Sequence, residues 1–306
     1  MAKAMEGSGN FTAGYSIGEF LSASVSPVRV SFSLGTAAAR VEHQVGASVL
    51  GATATAVERD LAGSPLAQIL PRTALVGGGD ARLRIADGTY EAFLYGGVTG
   101  VFGTPEAITL VEDSSTHYFQ RPDGAYLHPD PAARRLLGWH SGVIGTKRAG
   151  TWQGSALVNL ESPGFELNDV GLLSSADDID VSANVRRIET TPGERVFAWD
   201  VGAGASTSWN FGGLRKPVDL RALGDITSTA FNSASIAFDV TTPGGSDDLT
   251  RGGPVMETGW AESVTVTAST PRGRAQQLSG TLVGQLSPTL QQGVVASVSL
   301  ASRATS

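Results

Sequence analysis

The feature that most limits what this chain can become is a two-residue alternation, sustained well past the ~5 to 6 residues of an ordinary strand. From Phe11 to Val25 one face reads Phe11, Ala13, Tyr15, Ile17, Glu19, Leu21, Ala23 and Val25, while the other is small and polar apart from Phe20. From Arg195 to Phe211 one face carries Phe197, Trp199, Val201, Ala203, Ala205, Thr207, Trp209 and Phe211. Asp200, Gly202, Gly204, Ser206, Ser208 and Asn210 face the other way. Strands of this length with one apolar face fit a sheet that is oily outside and wet inside.

Aromatic placement sharpens this expectation. In a transmembrane barrel, rings mark both edges of the hydrocarbon band and small aliphatics fill the space between. The pairs Phe197/Trp199 and Trp209/Phe211 are centred about 12 residues apart, or ~40 Å of strand at ~3.3 Å per residue. A tilt of ~40° reduces that to ~30 Å, close to the ~25 Å apolar band plus its girdles. Tyr90 and Phe102 repeat the spacing, with Ala92, Leu94, Gly96, Val98 and Gly100 between them. These six aromatics are therefore read as lipid-interface residues.

Hairpin signals join the strands. Asp87-Gly88 predicts a tight turn that sets Ile85 opposite Tyr90, Leu83 opposite Ala92 and, on the other face, Arg84 opposite Glu91. An Arg84–Glu91 ion pair suits a water-lined lumen better than a dry sandwich core. A turn at Ala149-Gly150 predicts Val143 opposite Ala156 and Trp139 opposite Leu160. Pro192-Gly193 and Pro271-Arg272-Gly273 mark further short turns, and 220–241 reads either as one long strand or as a hairpin near Asn232. Long polar segments at 58–72, 103–134, 162–178 and 242–254 tend to alternate with these turns. That is the asymmetry of outer-membrane barrels.

The expected fold is all-β: an antiparallel up-and-down transmembrane barrel of about 12 to 14 strands. Residues 1–306 form one barrel domain, read as a fragment that is open because both ends look truncated. MAKAMEGSGN lacks the basic and apolar regions of a signal peptide, and SLASRATS lacks a terminal aromatic residue. No apolar run is long enough for a membrane helix. Charged residues are 17% of the chain, below the ~25% usual in soluble domains. A net charge of -7 without a Lys/Arg-rich run argues against nucleic acid as a partner and leaves outer-membrane lipid, with oligosaccharide as a further candidate. The absence of cysteine excludes disulfides and thiolate chemistry.

Motifs for chemistry are weak. His43, His117, His128 and His140 are dispersed, Val143–Lys147 fails the phosphate-loop spacing, and no G-x-S-x-G element occurs. Asp177, Asp178, Asp180, Asp247 and Asp248 are oxygen-rich but lack a calcium-loop pattern, so solvated loop acids are the expectation. Glu161, Glu166, Asp169 and Asp177 are the carboxylates a glycoside hydrolase would draw on. No metal, cofactor or catalytic residue is expected from these patterns.

Three stretches carry a family resemblance: Tyr118–Asp123 (YFQRPD), Ser162–Gly171 (SPGFELNDVG) and Leu249–Met256 (LTRGGPVM). With Ala52–Leu61 ahead of them, they resemble the barrel of a bacterial outer-membrane family of unestablished activity. Its members usually carry, before the barrel, a domain similar to a family-nine carbohydrate-binding module. The resemblance covers about residues 50 to 256 and implies a barrel without that domain, channel-like or receptor-like, in the uptake or binding of glycans or their fragments. A secreted β-rich carbohydrate-binding module is the alternative, and a carbohydrate-active hydrolase a further one. The positions that match the motifs are Arg121, Asp123, Glu166, Asn168, Asp169 and Arg251. They are expected to brace inward-folded loops or to meet a ligand.

Overall fold

The structure, a computed structural model, describes residues 37–271 and 276–286 together with strand segments 3–6, 10–13, 20–25, 28–33 and 293–302. In chain order the first strands are β1 (Lys3–Glu6), β2 (Asn10–Ala13), β3 (Phe20–Val25), β4 (Val28–Ser33), β5 (Ala37–Val45) and β6 (Ser48–Glu58). Then come β7 (Thr73–Ile85), β8 (Tyr90–Phe102), helix α1 (Pro105–Glu112), β9 (Arg135–Lys147), β10 (Trp152–Glu161) and β11 (Asp178–Glu189). The remainder are β12 (Val196–Trp209), β13 (Arg215–Ser228), β14 (Ser233–Thr241), β15 (Gly244–Ser246), β16 (Met256–Thr258), β17 (Ala261–Ser269), β18 (Gln276–Leu286) and β19 (Gly293–Ser302).

Strands β3 to β14 and then β17 to β19 form one 15-stranded antiparallel sheet in which neighbours in sequence are neighbours in space. β15 and β16 form a small hairpin within the loop between β14 and β17. Among the described residues no ladder joins the outermost strands, so the sheet is up-and-down and not closed. The side chains of the Phe11–Val25 alternation, and positions 272–273 of the expected turn after Pro271, lie outside the described residues.

The Asp87-Gly88 register is as expected: Ile85 pairs with Tyr90, Arg84 with Glu91 and Leu83 with Ala92. Asp87 and Gly88 both take positive φ, 54° and 83°, and the Thr89 N–H reaches the Ala86 carbonyl at 3.0 Å. That is the twist-matched turn which a two-residue hairpin requires. The second register differs. Val143 pairs with Val158 and Ser141 with Leu160, two residues from the expected partners, although each side chain keeps its face. The same two-residue turn needs positive φ at both central residues; Gly150 takes it, at 87°, and Ala149 does not, so the ladder starts at Lys147–Gly154 and the connection is longer. The region 220–241 is a hairpin, with the Ser228 N–H bonded to the Asn232 carbonyl at 2.8 Å.

Registers carried from strand to strand sort the side chains into two faces. One holds Leu50, Leu75, Leu94, Val98, Val143, Val158, Val181, Val201, Leu220, Ile236, Val264 and Leu282. These are largely exposed, and between them stand Ala and Gly. Among the described residues, charged side chains occur on this face only within three residues of a strand end, as with Glu58, Arg135, Lys147, Arg187 and Glu189. The opposite face carries Arg40, Asp80, Glu91, Asn159, Asp180, Arg186, Asp200, Asp225 and Asp239, at mid-strand positions as well as at ends. Cross-strand ion pairs form there: Arg40–Asp80 at 2.9 Å, Arg84–Glu91 at 3.2 Å, Arg186–Asp200 at 2.6 Å and Arg221–Asp239 at 3.4 Å.

The long connections 59–72, 103–134, 162–177 and 242–260 all lie at one edge of the sheet, together with the five-residue turn 210–214, while the other edge holds short connections such as 46–47, 86–89 and 229–232. At the long-loop edge, 103–134 folds back over the polar face. Pro105 opens α1 and the Thr104 hydroxyl caps it by accepting from the Ala107 N–H at 3.3 Å. Ile108 on this helix joins Ala74, Val101 and Leu136 of β7 to β9 in the buried apolar cluster, with Val57 and Val111 against it. Ile108, Val101 and Leu136 each contribute on the order of 1.5 to 3 kcal/mol by leaving water, so this small cluster helps to seat the helix on the sheet.

Candidate functional site: the loop assembly on the polar face

Three connections, 103–134, 162–177 and 242–260, meet over the polar face at the long-loop edge. The centre of their junction is Arg121, whose side chain is 4% exposed. Its guanidinium donates to Asp247 Oδ2 at 2.9 Å, and also to Asp177 Oδ2 and the Tyr126 hydroxyl. The Tyr126 hydroxyl donates to Asp177 in turn, and its ring lies under the guanidinium, 5.6 Å from Cζ to centroid. Asp247 also accepts from Asn210 Nδ2 at 2.8 Å, and the Phe211 N–H bonds Asp177 Oδ1 at 3.0 Å. Lys216 adds a second cation between Asp178 and Asp247. Burial works against the Arg121 charge, yet the hydrogen bond to Asp177 and the acidic surroundings outweigh it and hold the guanidinium above its ordinary range. Burial and then the bond to Asp177 push the Tyr126 phenol up. A planar fork that meets two carboxylates and a phenol is a role for arginine and not for lysine.

The second lock is His117, 2% exposed. Its Nδ1 faces the Pro163 carbonyl at 2.9 Å and its Nε2 faces Glu166 Oε2 at 2.8 Å. Burial alone would raise the Glu166 carboxyl, but His117 and the backbone N–H groups of Asn168 and Leu167 hold it below the usual carboxylate range. Asn168 continues the brace, donating to Thr116 Oγ1 at 3.2 Å and accepting from the Leu173 N–H at 2.8 Å. A third lock joins the 59–72 connection: Arg59 Nη2 meets Asp169 Oδ1 at 2.6 Å and Arg59 Nη1 meets the Pro71 carbonyl at 2.9 Å.

Within 162–169, Ser162, Gly164, Phe165 and Glu166 are buried. Phe165, 3% exposed, stacks on His140 with centroids 4.7 Å apart. A Cβ at Gly138 would run into the Phe165 nitrogen and the Gly164 carbonyl carbon, and one at Gly164 would meet the Leu137 carbonyl oxygen. Two backbones cross in contact here, so both positions need glycine.

Of the motif-matching residues, the assembly brings together Arg121, Glu166, Asn168 and Asp169 as braces, each bonded within the protein. Asp123 accepts from the Val255 N–H and ties the first loop to the third. Arg251 stands apart: it is exposed, takes φ 53°, and no hydrogen bond or ion pair to its side chain occurs among the described residues. Asp177, Asp178 and Asp247, expected as solvated acids, are buried and neutralised by Arg121 and Lys216. Among the described residues no group of His, Asp or Glu is arranged to hold a metal ion. Sequence reading missed His117, Tyr126, Asn210 and Lys216. The signal that could have found them is an abundance of acids in loops that also carry an occasional Arg or Lys.

The aromatics expected at lipid edges divide as follows. Tyr90, Phe102, Phe197, Trp199 and Trp209 share the apolar face near strand ends. Arg187 lies over Trp199 and Trp152 there, 5.3 and 5.9 Å from the ring centroids. Phe211 corrects the expected strand: β12 ends at Trp209 after a register shift, and Phe211 belongs to the connection that follows. The buried Asn210, which accepts from the Leu214 N–H at 2.9 Å, turns the chain, and Phe211 packs edge-on against Trp139, 5.9 Å between centroids.

Glu112 of α1 is 5% exposed, and its carboxyl group receives no hydrogen bond or ion pair among the described residues. Burial, followed by the charges of Asp113 and Asp130, pushes this carboxyl up. Below the ordinary range it is neutral whether the loop is docked or open, and nothing is lost. As pH rises past that range the open form ionises first, so docking weakens until the pH exceeds the raised value. Glu112→Gln is expected to slow proteolysis of the 103–134 loop severalfold at pH 8, about 1 kcal/mol of docking, and to change nothing at pH 4.

No family model matches the chain, and no curated protein matches it.

Proposed function

We propose that the chain is the barrel of a bacterial outer-membrane protein, with lipid against its apolar face, serving as a channel or receptor-like element in the uptake or binding of glycan fragments. The observation that carries this reading is the segregation of mid-strand charge. Long antiparallel strands leave one face oily and exposed along the middle, while the mid-strand ion pairs among the described residues form on the other. Surface of that kind is costly in water and natural in a bilayer.

The loop assembly favours a receptor-like form over an open pore, because buried ion pairs hold three connections over the polar face. The glycan element rests on the family resemblance of the YFQRPD, SPGFELND and LTRGGPVM stretches. The test is electrophoretic. Protein refolded in detergent is expected to migrate differently before and after boiling and to precipitate once detergent is removed. A compact monomer in plain buffer, with a single heat-independent band, overturns the reading.

A further inference from the structure

Midway along β7 to β9, and two residues from the long-loop ends of β10 and β11, a row of residues crosses the inner face at one level. Cross-strand partners in succession are Asp80, Tyr95, Gly142, Asn159 and Asp180, from β7 to β11. Glycine in this row has a use: a Cβ at Gly142 would overlap the Tyr95 ring, which therefore crosses β9 at this point. The Tyr95 hydroxyl reaches over that strand to donate to Asn159 Oδ1 at 2.8 Å. The hydroxyl end of the ring lies over Gly142, Phe93 and His140 stand beside it with centroids 5.5 and 5.7 Å away, and the residue is half-buried. Asn159 Nδ2 donates onward to Asp180 at 3.2 Å and Glu161 at 3.4 Å. At the other end Arg40 occupies both oxygens of Asp80, at 2.9 and 3.1 Å.

We propose that Tyr95 is the platform of a neutral-saccharide subsite, with Asp180 and Glu161 as acceptors for sugar hydroxyls. This rests on the reading that the polar face lines the lumen. A ring fixed by its neighbours and by its hydroxyl offers an electron-rich face to the C–H side of a pyranose. A few fixed polar groups beside an apolar surface are what orient a small ligand. Among the described residues no cation is bonded to Asp180 or Glu161, whereas Asp80 is neutralised by Arg40. The acceptors suit hydroxyl donors and repel carboxylates, so uronic-acid chains are excluded.

The experiment uses the full chain refolded in detergent. Saturation-transfer NMR is recorded with maltohexaose, cellohexaose, xylohexaose and hexagalacturonate. At least one neutral hexasaccharide is expected to bind, and hexagalacturonate not. Tyr95→Ala weakens the neutral sugar about tenfold or more, and Tyr95→Phe, which keeps the platform, much less. Asp180→Asn raises binding of hexagalacturonate. The subsite is overturned if no neutral hexasaccharide binds heat-modifiable protein, if hexagalacturonate binds as well, or if Tyr95→Ala binds unchanged. Binding through Tyr95 by a protein that proves water-soluble would keep the subsite and overturn the barrel.

Discussion

Arg121→Ala is expected to release the loop assembly while leaving the strands intact, seen as rapid thermolysin cleavage within 116–128 of protein refolded in detergent. The side chain joins Asp177, Asp247 and Tyr126 in a place that is almost fully closed to water. Removing the cation strands two buried carboxylates, with only Lys216 and neutral donors left beside them. Breaking such a pair from one side costs about 3 to 5 kcal/mol, which corresponds to a rise in the open population of roughly a hundredfold or more. Arg121→Lys keeps the charge and loses the fork, so its effect should fall between. Asp123→Asn, which weakens one bond to the Val255 N–H, should do far less. Cleavage of Arg121→Ala at the wild-type rate would mean that apolar packing of Ile108 and its neighbours, not the ion pairs, holds the loops down.

These two kinds of contact are not equally visible in the sequence. Strand faces follow from period two, and the Arg84–Glu91 pairing follows from Asp87-Gly88 because that turn admits one register. Both are local. The Ala149-Gly150 register slips by two because alanine, unlike the aspartate of Asp87-Gly88, does not take the positive φ that such a two-residue turn requires, and the chain makes a longer connection. Alternation runs through Phe211 and places it on a strand. What ends β12 is Asn210, held by Asp247 from a loop 37 residues away in sequence. The site is more remote still: Arg121 meets partners 56 and 126 residues on, and His117 meets Glu166 after 49. The motif residues divide in sequence only as far as bracing or ligand-facing. Which of the two applies depends on whether a counter-charge waits across the loop, and spacing along one chain does not reveal that. Gly138 and Gly164 show the same limit: each is an ordinary strand or loop glycine until the two backbones touch.

A matched pair of substitutions on β12 separates the faces. Ala203 stands on the apolar face between Trp199 and Trp209, opposite Val185 and Ala222. Ser206 stands on the polar face, opposite Ser182 and Asp219. An arginine at 203 must place its charge near the middle of the hydrocarbon band, which costs about 2 to 4 kcal/mol at the midplane of such barrels. An arginine at 206 enters a face already lined with charge and finds Asp219 beside it, for a change within about 0.5 kcal/mol. Urea unfolding in phospholipid vesicles, followed by tryptophan fluorescence, should therefore place Ala203→Arg at a clearly lower midpoint than Ser206→Arg, whose midpoint stays near wild type. In a two-layer soluble protein the face that resists the charge is the one packed against the second layer, and it does so in detergent-free buffer. Equal midpoints, or a larger loss at 206, would mean that the exposed aliphatic face does not meet lipid, and the proposed location would fall with it.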